Sequence, residues 1–135
     1  MAADEQFYRE YILDHYKNPR NFGTIEEADI SHEELNPLCG DVVGMDLRLE
    51  GGVIEDVKFH GRGCAISQAS ASLLTERLKG MPLEEARKLG KEDVLRDLGI
   101  DISPARLKCA LLSLKVLKVG AYGLAGEQFD EEEVG

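Results

Sequence analysis

Asn36-Pro37-Leu38-Cys39-Gly40-Asp41 is the stretch around which the rest of the chain is organised. It is typical of a tight turn, in which a glycine free to adopt a positive φ separates a thiol from a carboxylate. Such a turn can direct both side chains toward one metal ion. The stretch therefore predicts a ligand-bearing loop.

Cysteines occur at two other places only, Cys64 and Cys109. The three thiols and Asp41 would make a four-ligand site, and a Cys₃Asp set suits tetrahedral zinc. Three thiolates are equally suited to iron and sulfide. The fold must bring together segments that lie far apart in the sequence, and we predict that it does. The predicted ligands are Cys39, Asp41, Cys64 and Cys109.

Length and composition limit the class of protein. At 135 residues, with 43% hydrophobic and 31% charged residues, the chain is typical of one soluble globular domain. No apolar run approaches the roughly 20 residues of a membrane span, and the acidic start lacks the layout of a signal peptide. We expect a cytoplasmic protein with one domain over 1–135, of which 126–135 is a flexible acidic tail.

Charge and cysteine count narrow the function. Lys and Arg number 16 against 26 Asp and Glu, a formal net charge of −10, which disfavours nucleic-acid binding. Three free thiols in a reducing compartment favour a metal ligand or a nucleophile over a disulfide. We expect partners with neutral or basic surfaces, and we expect no binding to nucleic acid or to a membrane.

Helical periodicity covers much of the chain. Helices are predicted over 6–17, 64–79, 81–88 and 91–98, and a long helix from 103 to about 119. His15 lies in the first helix, where we expect it to be exposed or at an interface. Cys64 would begin the second helix, whose positive end favours a thiolate.

Residues 42–61 alternate in hydropathy and predict a hairpin that turns near Gly51-Gly52. A strict two-residue turn would set Leu47 against Asp56 and waste the apolar face. We therefore predict a longer turn or a bulge. His60 falls on the opposite phase from the apolar residues and is expected to face solvent.

The predicted site would carry excess negative charge. Arg106 and Lys108, close to Cys109, can offset that charge or hydrogen-bond a sulfur without being ligands themselves. Ligands from three separate segments differ from the close ligand pairs of a structural zinc site. An accessible site with activated thiols favours sulfur exchange or transfer. A structural zinc-binding interaction domain is the alternative.

The chain resembles the U-type iron–sulfur cluster assembly scaffolds, the family of IscU, the NifU N-terminal domain and SufU, over nearly all of 5–122. The matching motifs are Asp14-His15-Tyr16-Lys17-Asn18-Pro19-Arg20-Asn21, Asn36-Pro37-Leu38-Cys39-Gly40-Asp41, Gly63-Cys64-Ala65-Ile66-Ser67 and the Cys109 helix. The resemblance implies an α+β fold, in which a small antiparallel sheet of about three strands packs against several helices, with the ligand loops at one end.

The resemblance also implies a function. Cys39, Cys64 and Cys109 would receive sulfur from a cysteine desulfurase of the SufS or IscS kind. They would hold a transient [2Fe–2S] or [4Fe–4S] cluster, which Asp41 keeps labile. The cluster or its sulfur would then pass to a downstream scaffold or to apo-acceptor proteins.

Two features of the sequence differ from the IscU branch of the family and bear on the subtype. IscU scaffolds carry a histidine before the last cysteine, within a proline-rich segment read by a chaperone, whereas here Lys108 precedes Cys109 and 80–103 is longer. Both features resemble SufU, which implies a zinc-bound sulfur acceptor in which Cys109 leaves zinc and takes a persulfide. Cluster scaffold and zinc-dependent sulfurtransferase both remain open, and with them the question of whether the protein is an enzyme.

Overall fold

The computed structural model describes residues 2–37 and 40–125. Within these ranges the three strands form one antiparallel sheet in the order β1-β2-β3, which confirms the predicted α+β class. In chain order the elements are α1 (Ala2–Lys17), β1 (Ile30–Asn36), β2 (Asp41–Glu50), β3 (Val53–Arg62), α2 (Ala65–Leu78), α3 (Leu83–Ala86), α4 (Lys91–Leu98), a 3₁₀ turn (Pro104–Arg106) and α5 (Leu107–Ala125).

The β2–β3 hairpin confirms the predicted bulge. Next to the two-glycine turn, Leu49 pairs with Ile54. The register then shifts between Arg48 and Leu49, so that Leu47 pairs with Val57. At this shift β3 has one residue more than β2. Because side chains alternate between the two faces of a strand, the additional residue keeps Leu47 and Val57 on one buried face.

The core lies where α2 and α5 cover the inner face of the sheet. Leucines at helical spacing supply the apolar stripes of both helices. Truncating one such leucine to alanine typically costs about 2–5 kcal/mol of folding free energy. The fully or almost fully buried core side chains include Met45, Leu47, Val57, Phe59, Leu74, Leu78, Leu111, Leu114 and Leu117.

The last helix ends later than predicted. Gly120 suggested a stop near residue 119, yet α5 continues to Ala125. The glycine lies where α5 crosses β1, and a Cβ added to it would stand only 2.7 Å from Cγ2 of Ile30. Gly120 therefore permits a close helix–strand approach and does not end the helix.

The first helix begins earlier than predicted, at Ala2. Ile12 is buried, whereas Phe7 and Tyr16 are exposed. Across the described part of the chain, no helix combines the length and the hydropathy that crossing a bilayer requires.

Candidate metal centre

Three of the four predicted ligands meet at one end of the sheet. Asp41 begins β2, Cys64 precedes α2 and Cys109 lies in the first turn of α5. One carboxylate oxygen and the two Sγ atoms all lie within 4.8 Å of one another. Cys39, the fourth predicted ligand, lies outside the described residues. The fold thus brings together side chains from three elements that are remote in sequence.

The carboxylate of Asp41 is fixed by the backbone before Cys64. Oδ1 accepts the Cys64 N–H at 2.8 Å, while Oδ2 lies 3.7 Å from the Cys64 Sγ. Gly63, at φ +145°, leaves the room for this arrangement, because a Cβ there would overlap Oδ1. One oxygen is therefore tied to the chain and the other faces the sulfur.

Cys64 occupies the predicted position at the beginning of a helix. It is the N-cap residue of α2, with an extended backbone, and its carbonyl accepts the N–H of Gln68 and the hydroxyl of Ser67. Its side chain is half-buried. The positive end of α2 favours a thiolate or a metal-bound sulfur at this position.

Cys109 contacts a residue that sequence reasoning missed. The Asn36 side-chain amide donates to the Cys109 Sγ at 3.7 Å, although 73 residues separate the two. Asn36 pairs with Asp41 in the β1–β2 ladder, so the strand register places its amide beside the ligands. The one sequence signal for this contact was that Asn36 belongs to the ligand-bearing stretch.

The group is less open than the sequence suggested. Cys64 is half-buried, but Asp41 and Cys109 are fully buried. Cys109 is buried because α5 packs against both the sheet and α2 and so covers a broad face. Any reagent that reaches the Cys109 sulfur requires a movement of its surroundings.

Arg106 and Lys108 stand close to Cys109 in sequence, and both are exposed. Arg106 ends the 3₁₀ turn and Lys108 belongs to the first turn of α5. Their influence on the site stays a prediction, since an exposed cation acts weakly through solvent.

The prediction that His15 is exposed or at an interface is wrong. His15 is fully buried between α1 and α2, where its Nδ1 lies 2.7 Å from the Ser72 Oγ and its Nε2 lies 3.4 Å from Glu76. Burial, helped by the nearby Arg20 guanidinium, lowers the pKa of His15 below its ordinary value. Ser72 is also fully buried, so this Ser-His-Glu grouping cannot present its hydroxyl to a substrate.

The other two histidines also lie outside the three-ligand group. His32 pairs with Glu34 within β1. His60 lies on the opposite face of β3 from the buried Phe59, as predicted, but it is only partly exposed. Its ring lies over Gly44, where no side chain competes, and its Nε2 is 3.4 Å from a Glu33 oxygen.

Comparison with known proteins gives concordant results. Residues 7–130 match the NifU-like N terminal domain. The chain is 41% identical over 133 residues to the zinc-dependent sulfurtransferase SufU of Bacillus subtilis, covering 86% of this chain and 90% of the relative. It is 40% identical over 128 residues to the iron–sulfur cluster assembly scaffold protein IscU of Aquifex aeolicus, covering 93% and 81%.

Solved structures agree on the fold. A crystal structure from Fervidobacterium islandicum, described as an iron–sulfur cluster assembly scaffold protein for the SUF system, superposes with a TM-score of 0.75 at 32% identity, covering 87% of this chain and 98% of that one. A NifU-like N-terminal protein from Brucella abortus gives a TM-score of 0.71 at 22% identity, covering 92% and 98%.

Proposed function

The chain belongs to the family of NifU-like N-terminal domains and is an iron–sulfur cluster assembly protein of the IscU/SufU type, and within that type we propose that it relays sulfur from a zinc-holding Cys₃Asp site. The observation that carries the proposal is the convergence of Asp41, Cys64 and Cys109 within 4.8 Å. The proposed ligand set is completed by Cys39.

The donors present fit zinc. Two thiols and a carboxylate from separate elements face one another, and one oxygen of the buried Asp41 is directed at the Cys64 sulfur. A buried carboxylate beside two thiols is unfavourable unless a cation offsets its charge. When bound, zinc would keep the thiolates deprotonated and restrain the segments that carry them.

The relay step that we propose is an exchange between sulfurs. The Cys109 thiolate attacks the outer sulfur of a persulfide carried by a cysteine desulfurase. A new S–S bond forms on Cys109, the S–S bond of the donor breaks, and the donor cysteine leaves as a thiolate that takes up a proton. The sulfur changes carrier without any added oxidant or reductant.

The structure suggests why Cys109 would be the cysteine that leaves the metal. Asp41 and Cys64 are fastened to each other by the Cys64 N–H, whereas Cys109 comes from a different helix, just after a 3₁₀ turn. Because Cys109 is fully buried, the proposal requires this turn or the neighbouring loop to move when the desulfurase docks.

Two features support the relay over the scaffold. Lys108 stands before Cys109, where IscU scaffolds carry histidine, and the segment after Gly80 is long enough to form α3 and α4. The exposed side chains of Arg106 and Lys108 would offset the negative charge of the site or of a docked partner.

The second candidate is a cluster scaffold, which the 40% identity to an IscU over 93% of this chain supports. In that case iron and sulfide are cargo built on the three cysteines as a [2Fe–2S] or [4Fe–4S] cluster. A purely structural zinc site is weaker, because the hydrophobic core of α2 and α5 on the sheet is made of side chains other than the proposed ligands.

One experiment separates these functions. The protein is purified without oxygen, analysed for metal, and incubated with a cysteine desulfurase, cysteine and ferrous iron. We expect a persulfide on Cys109, found by mass spectrometry, with zinc retained. A cluster absorbance that activates an apo-acceptor would replace the relay by the scaffold, and zinc without either product would leave only a structural site. Cys109→Ser is the control for the site of sulfur attachment.

A further inference from the structure

Asn36 makes contacts through both its backbone and its side chain at the edge of the site. Its backbone carbonyl accepts the Gly40 N–H at 2.8 Å. Its side-chain amide donates to the Cys109 Sγ at 3.7 Å, and the residue as a whole is only 6% exposed. A substitution at Asn36 can therefore remove the sulfur contact and keep the backbone contact.

The sulfur of Cys109 is fully buried, so its hydrogen bonds come from protein groups and not from bulk water. The cationic side chains of Arg106 and Lys108 are exposed. An amide N–H stabilises a sulfur anion while carrying no charge that would repel zinc.

We propose that Asn36 is a positioning residue for sulfur transfer: its amide would hold and orient the Cys109 sulfur for attack whenever that sulfur is not bound to a metal. The inference rests on the proposed function and deepens it, because it names a residue that would orient the attacking sulfur. Asn36 would act through its contact with Cys109.

Gln68 provides a matched control. It is another buried side-chain amide at the same end of the molecule, but it donates to oxygens, the Ser67 hydroxyl at 3.0 Å and the Val42 carbonyl at 3.4 Å. Gln68→Ala removes a buried amide near the ligands without removing a contact to Cys109. Differences between variants at these two positions therefore report on the Asn36 side chain and not on the loss of a buried amide in general.

The test is alkylation of the zinc-loaded protein with iodoacetamide at one fixed pH. Mass spectrometry follows the rates at Cys109 and Cys64, and zinc content is measured in parallel. In the wild type we expect Cys109 to react while zinc stays bound. In Asn36→Ala and in Asn36→Leu, which nearly keeps the size of the side chain, the Cys109 rate should fall about five- to tenfold, the effect of one lost hydrogen bond. The Cys64 rate, and both rates in Gln68→Ala, should stay as in the wild type.

The outcomes separate the inference from the function beneath it. Unchanged Cys109 rates in both Asn36 variants overturn the inference alone. Faster rates also overturn it, because they would mean that the amide shields a sulfur that remains on the metal. If Cys109 of the wild-type protein never reacts while zinc is bound, the sulfur has no released state, and the inference is overturned. A wild type that binds no zinc overturns the relay and the inference together.

Discussion

Two of the buried polar clusters along helix α2 differ in what their atoms can do. At its N-terminus, Cys64 meets Asp41 and Cys109 in the ligand group. Farther along, Ser72 meets His15 of α1, in a cluster we call the α1–α2 seam, defined by His15, Ser72, Thr75, Arg20 and Asn21.

The seam directs its polar atoms at one another. The Ser72 hydroxyl lies against the His15 ring and accepts the Arg20 N–H at 2.9 Å, while the Thr75 hydroxyl accepts from Asn21 at 3.1 Å. In the ligand group, side chains of the kind that bind zinc face a shared point. Burial of polar groups is thus no sign of function by itself, whereas convergence of soft ligands is.

The largest expected effect comes from removing one of the proposed ligands. Cys64→Ser should lower zinc affinity by more than the roughly 10–100-fold typical of residues that only orient ligands. Competition with a chromophoric chelator measures this. Ser72→Ala, in the seam of the same helix, should leave zinc affinity unchanged. Equal losses in the two variants would erase the distinction between the clusters.

A smaller effect is expected from a glycine that only makes room for a ligand. Gly63→Ala would push a methyl group against Asp41 and should lower zinc affinity by about 10–100-fold. Gly80→Ala is the matched control, since Gly80 also has a positive φ, +87°, but open space around its Cα. If both variants lose zinc affinity equally, backbone strain and not the contact with the carboxylate explains the loss.

The α1–α2 seam should make the free energy of unfolding depend on pH. The pKa of His15 is lowered in the folded state by burial, so the unfolded chain takes up this proton first as pH falls. The free energy of unfolding should therefore drop below about pH 6.5, by up to about 1.4 kcal/mol per pH unit, until the folded protein also protonates.

Urea unfolding of chelator-treated protein at several pH values measures this dependence. His15→Gln should be less stable near neutral pH but flatter below it. A variant with the same slope as the wild type would assign the acid sensitivity to other groups.

The smallest effect is expected at the exposed rim of the ligand group. Lys108→Ala removes one exposed charge and should change zinc affinity by about 1 kcal/mol or less, at most about fivefold, and less at high salt. The same chelator competition, repeated at two salt concentrations, checks it. A tenfold or larger loss that is independent of salt would place the lysine in direct contact with a ligand sulfur.

Much of the ligand group could be predicted because its chemistry is rare in the sequence. Only three cysteines exist, and one of them shares a turn with Asp41. The bulge in the β2–β3 hairpin was also predictable, because hydropathy alternation allowed only one useful register.

What could not be predicted depended on tertiary neighbours. The burial of His15 depends on Ser72, which lies 57 residues away, and the Asn36 contact depends on Cys109, 73 residues away. The end of α5 was mispredicted because Gly120 serves the close approach to Ile30 and not a cap. Periodicity within one segment holds no information about such partners.

The most direct test of the central claim is X-ray absorption at the zinc edge of the zinc-loaded protein. If Cys39, Asp41, Cys64 and Cys109 gather around one ion, the spectrum should show three sulfurs at about 2.3 Å and one oxygen at about 2.0–2.2 Å. A shell dominated by nitrogen and oxygen, with one sulfur or none, would contradict the account.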